Sequence, residues 1–409
     1  MHSLASWPNL KGATDNTMFK VLTLNNIAVE GLRRLPRERY EVASEIAHPD
    51  AILLRSFNMH DMDIPDTVAA IGRAGAGTNN IPIDAMSGRG VPVFNAPGAN
   101  ANAVKELAIA AMLIGARNLC NARDYVRALT ETGPALGKAV EAGKKQFVGF
   151  ELPGKTLGVI GLGAIGVEVA NAALDLGMKV VGFDPAITVR NAWQLSSGVE
   201  QEETLDQLFQ HADFVSVHVP LIDATRNIVN ADRLALMNNN SVLINFARNG
   251  VVDDDAAIAA LDSGKLNAFV TDFPTPELIA HPKVVTLPHL GASTSEAEEN
   301  CAIMVAENIK DYLENGNIRH SVNFPEARLP RLDAWRMTIA NANVPNMVGQ
   351  ISTDLANAGL NIEDLLNKSV GEFAYTIVDV NKEPTDELLA EIRAIDGVLT
   401  LRNLGKPVT

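Results

Sequence analysis

Cysteine, aromatic residues and long apolar runs are all scarce in this chain. Of 409 residues, two are Cys and 5% are Phe, Trp or Tyr. Neither Cys120 nor Cys301 belongs to a C-x-x-C pair or a His cluster, so the sequence predicts free thiols, a reducing compartment and no metal site. No apolar run reaches the roughly 18 residues that a membrane span requires, and no signal peptide is recognisable. The predicted location is therefore the cytoplasm, without membrane contact.

Basic residues are also outnumbered. The chain has 34 Lys and Arg against 49 Asp and Glu, which gives a formal net charge of −15. Proteins that bind nucleic acid place clustered Lys and Arg against the phosphate backbone, so this composition argues against nucleic acid as a partner. A small anionic substrate is not excluded, because a few local cations can dominate the potential inside a cleft.

A strand, a glycine turn, a helix and a second strand follow one another between residues 155 and 184. An apolar run at 156–160 leads into Gly161-Leu162-Gly163-Ala164-Ile165-Gly166, which matches the pattern G-x-G-x-x-G. Residues 167–176 have apolar side chains at helical spacing, and 179–183 read as the second strand. This order predicts a dinucleotide-binding unit.

Each glycine of the turn has its own physical reason in such a unit. Gly161 permits the tight turn, Gly163 lets backbone N–H groups approach a pyrophosphate, and Gly166 allows the helix to pack closely on the strand. Asp184 lies eighteen residues beyond Gly166, where a carboxylate can accept hydrogen bonds from the hydroxyls of a ribose. The sequence therefore favours NAD over NADP, whose 2′-phosphate the carboxylate of Asp184 would repel.

Strand and helix patterns alternate along most of the chain and predict an α/β fold. The predicted architecture is a Rossmann-type doubly wound parallel sheet inserted in a smaller, flavodoxin-like α/β substrate domain, followed by a C-terminal βαββαβ unit of the ferredoxin-like split type. The predicted domains are 18–102 with 293–322 for substrate binding, 103–292 for NAD binding, 323–333 as a linker and 334–409 as the C-terminal unit.

Helices of two further segments are predicted from composition and periodicity. Residues 103–129 form an Ala-rich pattern without proline, which predicts one long helix between the domains. The polar stretch 130–151 is expected to run over the surface. A helical pattern at 295–313 is expected to return the chain to the first domain.

Three polar residues late in the sheet domain could carry chemistry. Arg248 follows the strand pattern 242–247, at the carboxyl edge where α/β sheets bind ligands, and its forked guanidinium suits a substrate carboxylate. His289 follows the last strand, where an imidazole could exchange a proton with an alcohol or a carbonyl. Glu277 could orient that imidazole. A structural ion pair, a capping histidine and an ordinary loop acid are the alternative interpretations.

Four motifs in order resemble one enzyme family. They are the glycine turn, Ser216-Val217-His218-Val219-Pro220-Leu221, Asn245-Phe246-Ala247-Arg248-Asn249-Gly250 and Pro288-His289-Leu290-Gly291-Ala292-Ser293-Thr294. Together they closely resemble the D-isomer-specific 2-hydroxyacid dehydrogenases, over residues 19–322. The remaining C-terminal residues resemble an ACT regulatory domain.

The resemblance implies catalytic roles for Arg248, Glu277 and His289. The loop before Glu277 departs from the family, because Asp272-Phe273-Pro274-Thr275-Pro276-Glu277 stands where an Asp-Val-Phe-x-x-Glu pattern is usual. The NAD-binding residues that the resemblance implies are Gly161, Gly163, Ala164, Ile165, Gly166, Asp184, His218, Pro220, Ala247, Asp272, His289 and Gly291.

For the substrate and an effector, the resemblance implies further loops. The implied substrate-binding residues are Arg55, Ser56, Arg73, Gly75, Gly77, Asn100 and Lys144, with backbone N–H groups near Gly75 to Gly77 holding a carboxylate and the cations contacting a phosphate. The implied effector-binding residues are Asn341, Asn343 and Asn361, with serine as the expected effector. This part also departs from relatives, because some have His in place of Asn341 and glycine is usual in place of Asn346.

The activity that the resemblance implies is NAD-dependent oxidation of D-3-phosphoglycerate to 3-phosphohydroxypyruvate, a step of phosphorylated L-serine synthesis. A hydroxypyruvate, glyoxylate or other D-2-hydroxyacid dehydrogenase is the alternative within the enzyme class. A non-enzymatic, NAD(H)-sensing scaffold is the alternative outside it. A homo-oligomer, dimer or tetramer, is expected through the helical region 103–129.

Overall fold

Residues 18–407 are described by a computed structural model. Their contacts divide them into two compact units, 18–99 with 298–407 (the split unit) and 100–297 (the central unit). Residues 1–17, where the sequence predicts no signal peptide, and the last two residues lie outside the described part. No helix within 18–407 is long and apolar enough to cross a membrane. The finer division into four segments stays a prediction.

Five parallel strands form the first sheet of the split unit. They are β1 (Phe19–Leu24), β2 (Tyr40–Ala43), β3 (Ala51–Leu54), β4 (Ala70–Arg73) and β5 (Val93–Phe94), with helices α1 (Val29–Leu32) and α2 (Ile83–Gly88). Their order across the sheet is β2-β1-β3-β4-β5. All four residues of β3 are buried, as in a parallel strand covered on both faces. This parallel α/β arrangement agrees with the fold predicted for this part of the chain.

The central unit opens with helices and continues as alternating strands and helices. Its elements are α3 (Ala101–Arg117), α4 (Leu119–Ala128), α5 (Pro134–Gly143), a 3₁₀ turn (Lys144–Phe147), β6 (Thr156–Ile160), α6 (Ala164–Asp175), β7 (Lys179–Phe183), α7 (Val189–Gln194), β8 (Val199–Gln201), α8 (Leu205–His211), β9 (Phe214–Val217), a 3₁₀ turn (Asp223–Thr225), α9 (Ala231–Leu236), β10 (Ser241–Asn245), α10 (Asp254–Asp262), β11 (Leu266–Thr271), α11 (Pro276–Ala280) and β12 (Val284–Thr286). Helix α12 (Ser295–Asn315) follows.

The central sheet is doubly wound, as predicted. Its seven strands are parallel and lie in the order β12-β11-β10-β9-β6-β7-β8. The chain starts at β6, adds β7 and β8 on one side, and then returns to add β9 to β12 on the other. Strands β6 and β9 therefore flank the switch point, beyond whose carboxyl ends such sheets bind ligands.

The prediction of one helix over 103–129 is wrong, because the helix breaks at Asn118. This residue has φ 52° and ψ 36°, a left-handed conformation that ends α3 before α4 begins. Asn adopts this conformation more readily than other residues with a side chain. The polar segment 130–151, for which no helix was predicted, contains α5 and a 3₁₀ turn.

The C-terminal residues form the predicted βαββαβ unit with an antiparallel sheet. Its elements are β13 (Trp335–Ala342), α13 (Met347–Asn357), β14 (Ile362–Val370), β15 (Phe373–Val380), α14 (Asp386–Ala394) and β16 (Val398–Gly405). The strand order is β14-β15-β13-β16. Apolar residues of α13 and α14, among them Ile351, Leu355 and Ile392, pack with the sheet in one buried cluster.

The same sheet holds the C-terminal end of α12 through buried arginines. Arg336 is 0% exposed and forms a bidentate pair with Asp379, with Nε–Oδ1 and Nη2–Oδ2 distances of 2.7 Å. Arg402 donates from Nη1 and Nη2 to the carbonyl oxygens of Tyr312 and Leu313, each at 2.9 Å. Cations at a helix C-terminus are favourable because they meet its unpaired carbonyls and the negative end of its dipole.

Candidate active site

The glycine turn has the geometry of a phosphate cradle. Gly161 has φ 90°, and a Cβ there would lie 2.7 Å from the carbonyl oxygen of His218. A Cβ on Gly166 would overlap the carbonyl oxygen of Gly161, whereas a Cβ on Gly163 would have no atom within 4 Å. The first and third glycines therefore serve close packing. The second leaves open space at the N-terminus of α6, where Ala164 and Ile165 begin the helix, and this suits a pyrophosphate.

Asp184 ties the turn to the strand beside it. Its Oδ2 accepts a hydrogen bond from the backbone N–H of Leu162 at 2.8 Å, and its Oδ1 accepts one from Ala186 at 2.8 Å. The carboxylate follows the carboxyl end of β7, next to the glycine turn. It is thus fixed in orientation, as a ribose-binding carboxylate must be, and the cradle fits a dinucleotide.

His218 forms a wall of the same cradle after β9. Its Nε2 lies 2.8 Å from the hydroxyl of the buried Ser216. Burial lowers the pKa of His218 to about 4, so the imidazole is neutral near physiological pH. Pro220, two residues on, is exposed, and its carbonyl accepts a hydrogen bond from Thr225.

Arg248 is presented by a turn that a buried asparagine holds. Asn245, at the end of β10, is 3% exposed. Its Oδ1 accepts from the N–H of Ala247 and its Nδ2 donates to the carbonyl of Arg248, each at 3.0 Å. The side chain of Arg248 is exposed, and its Nη1 donates to the carbonyl of Ala247 at 2.7 Å. This role of Asn245 was not predicted from the sequence, although a polar residue that closes an apolar strand was a signal.

His289 is positioned by the residues that follow β11. The backbone N–H of His289 donates to the backbone carbonyl of Asp272 at 3.1 Å, and the imidazole ring lies 5.1 Å from the ring of Phe273, centroid to centroid. With φ 38°, His289 has a backbone conformation that residues with a side chain rarely adopt. Such strain is concentrated at functional sites. Phe273, which with Pro274 departs from the family pattern, was not expected to contact the imidazole.

Asp272 is buried with one carboxylate oxygen unpaired. It is 1% exposed, its Oδ2 accepts from the N–H of Gly291 at 3.1 Å, and its Oδ1 has no partner. Burial raises the pKa of Asp272, and the Gly291 hydrogen bond and the charge of His289 offset this in part. A buried acceptor without a partner fits a donor on a bound molecule, such as a carboxamide.

Glu277 is not joined to His289 in this structure. It is exposed in the first turn of α11, and among residues 18–407 no hydrogen bond or ion pair connects the two. Its charge instead acts on Asp254, whose pKa is raised mainly by burial and further by neighbouring carboxylates, Glu277 among them. A role for Glu277 beside His289 stays a prediction.

Comparison with known proteins assigns this geometry to a family. Residues 109–291 match the NAD binding domain of D-isomer specific 2-hydroxyacid dehydrogenases. The chain is 33% identical over 381 residues to the D-3-phosphoglycerate dehydrogenase of Methanocaldococcus jannaschii. The aligned region covers 89% of this chain and 69% of that protein. This chain belongs to the D-isomer specific 2-hydroxyacid dehydrogenase family.

Two further relatives of this dehydrogenase are informative. The hydroxypyruvate reductase of Thermotoga maritima is 37% identical over 284 residues, covering 66% of this chain and 87% of that protein. The NAD+-bound 3-phosphoglycerate dehydrogenase of Entamoeba histolytica superposes with a TM-score of 0.59 at 25% identity, covering 75% of this chain and 99% of that one. The dehydrogenase is an NAD-dependent enzyme with a Rossmann-type sheet, as the sequence predicts.

The predicted substrate loops of the dehydrogenase are brought together in the split unit. Strands β3, β4 and β5 are parallel neighbours, so the loops that follow them meet at one edge. Arg73 donates from Nε to the carbonyl of Arg55 at 3.0 Å, and Ala96 donates from its N–H to the carbonyl of Gly75 at 3.0 Å. Arg55 also forms an ion pair with Glu298 at 2.6 Å.

Glycine is favoured at Gly75 because its φ of 153° is one that L side chains rarely adopt. A Cβ there would also meet the guanidinium of Arg73, which is the flexible end of a long side chain. Gly77 is half-buried in the same loop, and Ser56 is exposed beside Arg55.

Two predicted substrate residues belong to the central unit instead. Asn100 precedes α3, and its Oδ1 is buried without a partner. Lys144 is exposed, begins the 3₁₀ turn after α5 and pairs with Glu141. No group of three or more His, Cys, Asp or Glu side chains that could hold a metal ion occurs within 18–407.

The three predicted effector residues do not lie together within one chain. Asn341 is buried near the end of β13, and Asn343 donates from Nδ2 to the carbonyl of Gly371 at 3.1 Å. Asn361 precedes β14, whose first residue pairs with Val380 at the opposite end of the sheet. An eight-residue strand spans about 25 Å at roughly 3.3 Å per residue, so the two groups are separated by the length of β13.

Replacing Asp272 with Asn is expected to raise thermal stability at neutral pH. A raised carboxyl pKa means that the folded state binds this proton more tightly than the unfolded chain does. Ionisation of Asp272 therefore lowers the free energy of unfolding. This lost stability returns as pH falls through the folded-state pKa. Asn removes the charge and keeps an oxygen for Gly291. Melting curves against pH should show a gain that shrinks toward acid pH. A destabilised variant at every pH would contradict this.

Proposed function

We propose that this dehydrogenase oxidises D-3-phosphoglycerate to 3-phosphohydroxypyruvate with NAD, in phosphorylated L-serine synthesis. The observation that carries the proposal is the extent of the match to the M. jannaschii enzyme. It covers 89% of this chain, which leaves about 11% outside, whereas the C-terminal unit alone is larger than that share. The match therefore includes at least part of the βαββαβ unit as well as the catalytic motifs.

The chemistry that we propose for His289 is proton transfer. Its imidazole accepts the proton of the C2 hydroxyl during oxidation and returns it to the carbonyl oxygen during reduction. Bound NAD supplies the acceptor for the hydride that leaves C2. Support comes from the strained backbone of His289 and from the Asp272 and Phe273 contacts that fix it.

Arg248 is proposed to bind the substrate carboxylate and to polarise the developing carbonyl. An exposed guanidinium on a turn held by buried Asn245 supports this, because the donors other than the Nη1 bond to Ala247 are available while the backbone is fixed. Glu277 is proposed to assist His289. His218 and Pro220 are proposed to line the cradle beside the cofactor, and Asp272 is proposed to lie near the nicotinamide carboxamide.

In the split unit, Arg55 and Arg73 are proposed to bind the phosphate of a small anionic substrate. The hydrogen bond between them and the ion pair of Arg55 with Glu298 support this, since they order two long cationic side chains at one sheet edge. The backbone at Gly75 and Gly77, with Ser56 and Asn100, is proposed for the rest of the substrate. Lys144 is a further proposed contact.

The proposal is tested by the forward reaction. Purified protein with NAD and D-3-phosphoglycerate should produce NADH, whereas the L isomer and unphosphorylated D-glycerate should produce far less. The comparison of isomers tests the family assignment, and the comparison with D-glycerate tests the phosphate. Faster turnover of D-glycerate than of D-3-phosphoglycerate would overturn the substrate assignment while leaving the dehydrogenase assignment intact.

A second candidate function is reduction of hydroxypyruvate. The observation that favours it is the 37% identity to the T. maritima hydroxypyruvate reductase, which exceeds the 33% identity to the M. jannaschii enzyme. That match covers only 66% of this chain, so it accounts for less of the sequence.

Asp184 is expected to select NAD over NADP. Replacing it with Asn removes the charge that opposes a 2′-phosphate and weakens the hydrogen bonds to the ribose hydroxyls. The ratio of kcat/KM for NADP to kcat/KM for NAD should rise about tenfold or more, which corresponds to roughly 1.4 kcal/mol. Steady-state kinetics with both cofactors measures it. An unchanged ratio would mean that Asp184 serves only the turn.

We also propose that the dehydrogenase is a homo-oligomer through the helices before the glycine turn. Leu119, Val126, Leu136 and Val148 are 48%, 51%, 39% and 76% exposed, and large apolar side chains in such numbers are typical of an interface. A second copy of the chain is the proposed partner. Light scattering should give at least twice the monomer mass, and a monomer at all concentrations would contradict the proposal.

Two expectations stay predictions of the sequence. One is the cytoplasmic location. The other is an amino-acid effector such as serine at Asn341, Asn343 and Asn361. Because these residues lie at opposite ends of one sheet, a single bound amino acid could contact all three only if two copies of the C-terminal unit met.

A further inference from the structure

A polar cleft lies along α12 in the split unit, apart from the residues proposed to bind the substrate and the cofactor. It has a volume of about 390 Å³ and is lined by Met304, Glu307, Asn308, Asp311, Arg319 and His320. The first four follow the helix at spacings of three, one and three residues, so they share one face. The last two belong to the segment that leaves the helix and runs back beside β5, where Ser321 pairs with Phe94.

Asn308 is the first sign that the cleft binds something. It is 5% exposed, and its Nδ2 has no hydrogen-bond partner. A buried donor left without a partner destabilises the fold, and unpaired buried groups are few in folded proteins. A ligand with an acceptor oxygen would satisfy this amide.

His320 is the second sign, and it comes from the backbone. Its φ of 54° is rare for a residue with a side chain. Its carbonyl accepts the N–H of Asn95 at 3.1 Å, and Nδ2 of Asn95 donates to the carbonyl of Ala76 at 2.7 Å. The wall of the cleft is therefore bonded directly to the loops predicted to bind the substrate.

Arg319 pairs in the cleft with Asp311, whose carboxylate also accepts hydrogen bonds from two other residues. Asp311 Oδ2 lies 3.4 Å from Arg319 Nε, while its Oδ1 accepts from the amides of Asn315 and Asn317 at 2.9 and 3.0 Å. The Arg319 side chain retains 41% exposure although its Nε is buried. The terminal N–H groups of the guanidinium are thus the exposed part, available to an anion.

Glu307 gives the cleft a negative end. Its side chain is 54% exposed, and its only ion pair among the described residues is with Arg34 at 3.5 Å. An exposed ion pair of this kind contributes little to stability. The carboxylate can therefore accept a second cation beside Arg34.

We propose that this cleft binds a small zwitterionic α-amino acid, with its carboxylate on Arg319 and the Asn308 amide and its ammonium on Glu307. A simple anion would be opposed by Glu307 and Asp311, and a simple cation by Arg319 and Arg34. A ligand with both charges pairs with both ends. Its binding would act on the loop at Asn95 through the carbonyl of His320, and would change the KM of the substrate more than kcat.

Calorimetry on the full chain, without substrate, tests the site independently of the enzyme activity. The probes are glycine, L-serine and L-aspartate, with acetate and methylammonium as ligands carrying one charge each. At least one amino acid should bind saturably and more tightly than either single-charge ligand. Glu307→Gln should weaken that binding about tenfold or more, since a charge-assisted hydrogen bond contributes roughly 1.5–3 kcal/mol. The matched control is Glu45→Gln, an exposed carboxylate elsewhere in the split unit, which should leave binding unchanged.

The variant Asn308→Leu distinguishes a role of Asn308 in ligand binding from a role in stabilising the fold. Leucine has a similar volume and removes the unpaired amide, so the variant should fold with equal or higher stability while binding is lost. No saturable binding of any of the three amino acids, or equal affinity in Glu307→Gln, overturns the proposal. Affinity that survives in Glu307→Gln and disappears in Asn361→Ala would assign the amino acid to the C-terminal unit and also overturn it.

Discussion

Replacing His289 with Asn is expected to lower turnover by about 10²–10⁴-fold, the range that general acid–base groups contribute. Asn keeps a polar side chain of similar reach but cannot take up the proton of the C2 hydroxyl. The affinity for NADH should change little, because the cradle is built from the glycine turn and Asp184.

Kinetics and NADH binding by fluorescence should be measured on the same preparation of this variant. His211→Asn is the matched control, since His211, the last residue of α8, has a 58% exposed side chain that pairs with Glu202 before the helix, and it should behave as the wild type. An equal loss in turnover and in NADH affinity would contradict a proton-transfer role for His289. It would indicate that the imidazole only supports the fold of the loop.

Arg248→Gln is expected to lower kcat/KM by about 10²–10³-fold, comparable to the removal of one donor from a site that stabilises developing negative charge. Gln keeps hydrogen-bonding capacity but lacks the charge and the fork that meet a carboxylate. Arg248→Lys restores the charge without the fork and should recover only part of the loss. The substrate KM should rise in both, since the carboxylate is held in the ground state too.

Arg190→Gln in α7 is the matched control, because Arg190 is an exposed arginine of the same unit. Substrate kinetics on the three variants decides the role of Arg248. Full activity in Arg248→Lys would show that charge alone matters, and full activity in Arg248→Gln would rule out the carboxylate contact altogether.

The glycine turn could be predicted in full because its physics is local. A turn of six residues connects a strand to a helix here. This tight connection accounts for the steric need for Gly161 and Gly166 and for the open space at Gly163. Strands β2 and β8 were not predicted. They are short edge strands of four and three residues, and such segments have too few residues to show a period. The break at Asn118 was also missed, because one residue in a left-handed conformation leaves no mark on the apolar pattern.

The candidate site was predictable only where a residue follows a strand. Arg248 and His289 were found in this way, since β10 and β12 fix the edge at which they lie. The roles of Asn245, Phe273 and the unpaired Oδ1 of Asp272 depend on contacts in the folded chain. The spacing of residues in the sequence does not indicate these contacts. The separation of Asn361 from Asn341 likewise follows from the antiparallel pairing of β13, β14 and β15, not from the order of the residues.

The central claim, a dehydrogenase for a phosphorylated substrate, is tested most directly by one ratio. It is kcat/KM for 3-phosphohydroxypyruvate divided by kcat/KM for hydroxypyruvate, both measured with NADH at one pH. If Arg55 and Arg73 bind the phosphate, two charge-assisted contacts of roughly 1.5–3 kcal/mol each predict a ratio of about 10²–10⁴. A ratio near one, or a preference for hydroxypyruvate, would contradict the account and identify the enzyme as a reductase of unphosphorylated 2-oxo acids.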